Sequence, residues 1–137
     1  MTPQLGADAV RSAVLAAGGK AEIIHIAAHG VANNNLPLDS YIALSDGPWT
    51  AGSIQRTCLS GTRIVILSAC QTGLGGNHDG GIIGLGRAFI IAGAANVAMS
   101  LWSVDDAGTE VLMRHFTEAL AKAQYRPDEA LRKAMLR

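Results

Sequence analysis

The chain has 137 residues, a formal net charge of zero, 49% hydrophobic residues and 16% charged ones. At about 100–200 residues per domain this predicts a single domain spanning residues 1–137. With charge well below the usual ~25%, a large share of it must be buried, which excludes a disordered chain. The absence of any Lys/Arg-rich run argues against a protein that grips nucleic acid by its phosphates.

The first helix is predicted over about Ala7 to Ala17, from the apolar spacing of Val10, Ala13, Val14 and Ala17. Gly18-Gly19 stops it. Ala21 to Ala27 is a short apolar run rich in isoleucine and reads as a strand buried on both faces, as parallel strands are. On that reading His25 is a core histidine. The stretch from His29 to Ser40 reads as a loop, with Asn33-Asn34-Asn35 and Pro37 as turn formers. Tyr41 to Leu44 is a short strand ended by Asp46-Gly47-Pro48. Thr50 is placed to cap a helix reaching about Thr57, and Cys58 reads as a core or helix residue. Ser60-Gly61 turns the chain into a second buried strand, Arg63 to Ser68.

A glycine-rich loop, Gly73 to Gly81, follows. Asp79 is a candidate cap for a helix from about Gly80 to Ala92. After a turn at Ala92-Gly93-Ala94, Asn96 to Leu101 is a third buried strand. The segment Gly81 to Trp102 carries one charge, Arg87, but its glycines and Asn96 break it up, so no membrane span is expected. Asp105 or Asp106 caps an amphipathic helix to about Ala123, with Val111, Leu112, His115, Phe116, Ala119 and Leu120 on one face. Pro127 opens a last helix that runs to the end of the chain. Short buried strands alternating with helices predict an α/β fold with a mainly parallel sheet. In such sheets ligand sites form beyond the carboxyl ends of the strands.

Two strands end in reactive residues at that edge. The first runs into Ala28-His29-Gly30, the second into Ala69-Cys70-Gln71-Thr72-Gly73. Adjacent strands are about 4.8 Å apart, which would bring the two side chains to within roughly 4–7 Å if the strands are parallel neighbours. A thiol beside an imidazole supports acyl transfer, with the thiolate as nucleophile and the imidazole moving the proton. The glycines let a substrate backbone approach and leave N–H groups for an oxyanion. Other chemistries fit less well. Gly73-Leu74-Gly75-Gly76 lacks the Gly-Lys-Ser/Thr ending of a phosphate loop, and Gly84-Leu85-Gly86 lies inside a helix rather than after a strand. No Gly-x-Ser-x-Gly elbow is present. His25 and His29, four apart on a strand, are about 13 Å from end to end, too far for one metal.

These residues resemble the CHAT domain family, caspase-like cysteine peptidases of bacteria related to the separases. The resemblance is carried by His25-Ile26-Ala27-Ala28-His29-Gly30, Pro37 to Leu44, Leu67-Ser68-Ala69-Cys70-Gln71-Thr72-Gly73, Gly84 to Phe89, Ala92-Gly93-Ala94 and Ser100 to Asp106. It implies a three-layer caspase-like α/β fold, with helices on a mainly parallel sheet. It also implies a Cys–His dyad of Cys70 as nucleophile and His29 as general acid/base. The backbone N–H groups of Gly30 and Cys70 would form the oxyanion hole. Ser100, Trp102 and Asp106 would line the substrate pocket. In separases a similar Leu-Trp-x-Val-x-Asp segment supplies an acidic residue that selects arginine, and by position this falls on Asp106. The alternative for Asp105 or Asp106 is a helix cap alone. The resemblance implies no metal or organic cofactor, a protein or peptide substrate, and regulation by a sensor or helical-repeat partner. Two cysteines are too few for a disulfide framework, and no basic start precedes an apolar run, so a cytoplasmic protein is expected. The family's usual domain is longer at both ends, so the chain reads as a partial domain. A non-catalytic interaction module is the rival reading.

Overall fold

Ile64, Val65, Ile66 and Leu67 form a strand whose four residues are all buried. A run of this kind, apolar at every position, fits only where both faces of a strand are covered. In the computed structural model, which describes residues 4–68, 80–100, 106–122 and 126–136, this strand (β5) is the centre of a three-stranded parallel sheet. Its neighbours are β1 (Ile23–Ile26) and β6 (Val97–Met99), so the order is β1-β5-β6. The three strands predicted to be parallel and buried are thus paired with one another.

The outer strands differ from the expectation in one respect. β1 is not buried on both faces: Ile24 and Ile26 enter the core, whereas His25 between them is exposed. β6 is half-buried throughout, as suits a strand with one partner among the described residues.

The region read as a loop and one strand is a second, antiparallel sheet. It contains β2 (Gly30–Val31), β3 (Tyr41–Leu44) and β4 (Gly47–Thr50) in sequence order. β3 is the predicted strand. β4 occupies the segment where Asp46-Gly47-Pro48 suggested that structure ends. Leu44 faces Gly47, so Ser45-Asp46 is a two-residue hairpin loop. Pro48 is tolerated because β4 pairs on one side only, with β3, among the described residues. The hairpin tip also completes the first helix. α1 covers Arg11–Ala17 only, preceded by a 3₁₀ turn at Gly6–Asp8. Its N-cap residue is Val10, which has no side-chain acceptor. Both carboxylate oxygens of Asp46 take that place, accepting from the Arg11 N–H at 3.2 and 3.1 Å.

Thr50 caps α2 (Ala51–Ile54) as expected, its Oγ1 accepting from the Ser53 N–H at 3.2 Å, although the helix is shorter than predicted. α3 (Gly80–Ile91) matches its predicted span and ends in a turn at Gly93. Trp49 of β4 and Phe89 of α3 are fully buried and meet edge to face, ring centroids 5.7 Å apart. This contact joins the antiparallel sheet to the helix; truncating either ring would cost about 3–5 kcal/mol. Gly84 lets α3 approach a 3₁₀ turn at Pro37–Asp39: a Cβ there would lie 3.1 Å from the Pro37 carbonyl oxygen. The Gly84-Leu85-Gly86 pattern therefore serves packing.

The chain divides into two compact units, Met1–Ser103 and Val104–Arg137. The second contains α4 (Asp106–Ala121) and α5 (Pro127–Met135). Phe116, Ala119 and Leu120 of α4 are buried, as are Ala130 and Ala134 of α5. Val111, placed by periodicity on the buried face, is exposed. α5 begins at Pro127 as predicted but ends at Met135. Among the described residues no helix is long and apolar enough to cross a membrane.

The turn at Ser60-Gly61 gives a stability prediction. Gly61 has φ +125°, and a Cβ there would sit 2.7 Å from the Gly19 carbonyl oxygen. Gly47 has φ +113° with nothing within 4 Å of such a Cβ. Gly47→Ala therefore incurs backbone strain alone, about 1–3 kcal/mol. Gly61→Ala adds a clash with backbone, typically another ~1–3 kcal/mol. Urea unfolding should give a clearly lower midpoint for Gly61→Ala than for Gly47→Ala. Equal midpoints would contradict the close approach of the two turns.

Candidate active site at the carboxyl ends of the parallel strands

The parallel pairing of β1 with β5 sets Ile23 opposite Ile64 and Ile26 opposite Leu67, so each β1 residue faces the one forty-one positions later. Leu67 in turn faces Met99 of β6. Ile26, Leu67 and Met99 therefore end the three strands in one row. The row continues for one more bond, since the Ser68 N–H donates to the Ile26 carbonyl at 2.9 Å. Such an edge is where ligands bind in open parallel sheets.

Beyond Ile26 the chain leaves the parallel sheet and enters the antiparallel one. The Ala43 N–H donates to the His29 carbonyl at 2.7 Å. Gly30 then faces Ile42. With that bond in place, Gly30–Ile42 is a non-hydrogen-bonded pair of the ladder, and the Gly30 N–H points away from β3. His29 thus stands where the two sheets meet, anchored through its backbone, with its side chain exposed. Gly30 is buried. Ser100 follows β6 directly and is half-buried. His29 and Ser100 thus follow the two outer strands at the same edge, with β5 between them.

Cys70 and Trp102 lie outside the described residues, as do Asp79, Asp105 and the loop from Gly73 to Asp79. Asp106 is the first residue of α4, in the second compact unit.

His25 and Ser68 add two polar side chains to this edge. His25 is not a core histidine. Its Nε2 lies 2.7 Å from Ser68 Oγ, linking the outward face of β1 to the residue that follows β5. Partial desolvation holds the His25 ring below the usual histidine pKa. At neutral pH it is therefore the neutral imidazole, with one donor and one acceptor nitrogen. The folded state favours the uncharged ring. Its contribution is intact above the unfolded value of about 6.5 and weakens as pH falls below it. A signal for this pair did exist. Aligning the two strands through His29 and Cys70 puts His25 opposite Ile66, and Ser68 two residues further along the same face.

Cys58 is exposed rather than buried. Its Sγ lies 3.3 Å from Ser60 Oγ. Hydrogen bonds from the Ser60 side chain, and then its backbone, lower the thiol pKa. Among the described residues no group of three or more His, Cys, Asp or Glu could hold a metal ion.

A family model described as CHAT domain matches residues 1–137, the whole chain. No curated protein sequence matches it.

The Cys58 geometry predicts that alkylation at this residue responds to Ser60. Removing the hydroxyl in Ser60→Ala should move the pH midpoint of Cys58 alkylation upward, because a thiolate loses a donor. Peptide mass spectrometry after iodoacetamide treatment reads this site separately from Cys70. An unchanged midpoint would contradict the assigned hydrogen bond.

Proposed function

The chain belongs to the CHAT domain family, and we propose that it is a cysteine endopeptidase on a caspase-like α/β scaffold, with Cys70 as nucleophile and His29 as general acid/base. The observation that carries this reading is the β1–β5 register. These hydrogen-bonded parallel neighbours are offset by forty-one residues, the same separation as between His29 and Cys70. The exposed His29 side chain and the Gly30 N–H left over by the antiparallel ladder support it further.

In this reading the Cys70 thiolate attacks the carbonyl carbon of the scissile peptide bond. The carbonyl oxygen becomes an oxyanion and accepts hydrogen bonds from the N–H groups of Gly30 and Cys70. His29, protonated, gives its proton to the leaving amine as the C–N bond breaks, and a thioester remains. His29 then takes a proton from water, which attacks the thioester, releasing the new carboxylate and regenerating the thiol. Ser100 and Trp102 would line the pocket for the residue before the cleaved bond. Asp106 would favour arginine there, since a carboxylate pairs a guanidinium by charge-assisted hydrogen bonds. The chemistry requires no metal or organic cofactor. A sensor or helical-repeat partner would control access to the site.

The reading predicts that wild-type protein hydrolyses a fluorogenic peptide ending in arginine. Cys70→Ala should abolish turnover. His29→Ala should lower it by about 10²–10⁴-fold, the usual share of general acid/base catalysis. Equal turnover in wild type and Cys70→Ala would end the proposal. Asp106→Asn should lower kcat/KM for the arginine peptide relative to an otherwise identical glutamine peptide. An unchanged ratio would leave Asp106 as a helix-terminal residue only.

A further inference from the structure

The hydrogen bond between His25 and Ser68 occupies a particular place in the chain. It joins the residue four before His29 to the residue two before Cys70. Among the described residues the parallel-sheet bond furthest along at this point is the one from the Ser68 N–H to the Ile26 carbonyl. Past it, β1 turns away toward the second sheet, where the His29 carbonyl takes a bond from Ala43. No core role explains the pair: His25 is exposed and Ser68 only half-buried.

Resting on the reading of His29 and Cys70 as a catalytic pair, we propose that His25 and Ser68 are positioning residues. They form a side-chain latch that fixes the relative advance of β1 and β5 at their carboxyl ends, and so the alignment of imidazole with thiol. A backbone bond alone leaves each strand end free to twist about it. A second bond, between side chains on the same face, removes that freedom. Misplacing reacting groups by about 1 Å can cost on the order of 10²-fold in rate, so a latch remote from the chemistry has a measurable effect. The latch also predicts which replacements work. Gln at position 25 offers a side-chain amide that can still bond the Ser68 hydroxyl, whereas Ala cannot. Ser68→Thr keeps the hydroxyl, whereas Ser68→Ala does not.

The test is the pH dependence of Cys70 alkylation by iodoacetamide in a Cys58→Ser background, where Cys70 is the sole thiol. It needs no substrate. A paired imidazole lowers the apparent thiol pKa, so the His29→Ala protein should have a higher alkylation midpoint than the parent. Ser68→Ala and His25→Ala should shift the midpoint the same way and slow alkylation at pH 7 by about 10-fold or more. His25→Gln and Ser68→Thr should restore the parental profile. The double variant His25→Ala/Ser68→Ala should be no worse than either single one, since both remove one bond. A residue needed only for stability would lower the urea midpoint but leave the alkylation profile of the folded protein unchanged. A parental profile in folded Ser68→Ala and His25→Ala would overturn the latch while the His29 effect stands. An identical midpoint in parent and His29→Ala would overturn the thiol–imidazole pair itself, and the latch with it.

Discussion

The parallel pairing of β1 with β5 is the constraint on which the rest depends. A strand with Ile64, Val65, Ile66 and Leu67 in succession must be covered on both faces and flanked on both edges. β1 and β6 flank it, and the register follows from which isoleucines share the core: Ile24 with Val65 and Ile26 with Leu67. Slipping this pairing by one residue would turn Ile24 and Ile26 outward and bring His25 into the apolar core. The hydrophobic pattern therefore sets, at the same time, the alignment of the chain segments that lead to His29 and Cys70. In the proposed mechanism, stability and chemistry are coupled through one ladder of hydrogen bonds.

The antiparallel sheet gives that edge a second wall. β1 is followed almost at once by β2, so His29 is held between two sheets by the backbone bond to Ala43 rather than carried on a free loop. The Trp49–Phe89 contact ties the same antiparallel sheet to α3. Placing a side chain between two hydrogen-bonded elements limits its motion more than a loop would, which is what the proposed proton transfer by His29 requires.

Much of the parallel sheet was legible in the residues. The continuous apolar run of β5, the Thr50 cap, the span of α3 and the proline opening α5 depend on local pattern, and local pattern predicts them. The antiparallel sheet was not legible beyond β3. β2 is two residues long and carries no periodicity, and β4 contains Pro48 and begins at a glycine. Both are strands because of what lies beside them, a non-local fact. Asp46 looked like a turn former and is also the cap of a helix thirty-five residues earlier. The sequence places His25 in the core because the short run Ala21 to Ala27 does not separate alternation from full burial. Cys58 reads as a core or helix residue because of what cysteines usually do, and it is instead exposed, just before the Ser60-Gly61 turn. At the candidate site, His29, Gly30 and Ser100 were legible because they follow strands that the sequence identifies. The His25–Ser68 bond needed the register, which becomes visible only once the two strands are aligned.

The most direct measurement of the central claim is a cross-link. In a Cys58→Ser background, His29→Cys places a thiol opposite Cys70 if the forty-one-residue offset of β1 and β5 continues past the strands. A disulfide needs Cα atoms within about 7 Å. Mild oxidation of the folded protein followed by peptide mass spectrometry should yield a bridge between positions 29 and 70. Two free thiols after oxidation, in protein that remains folded, would contradict the account.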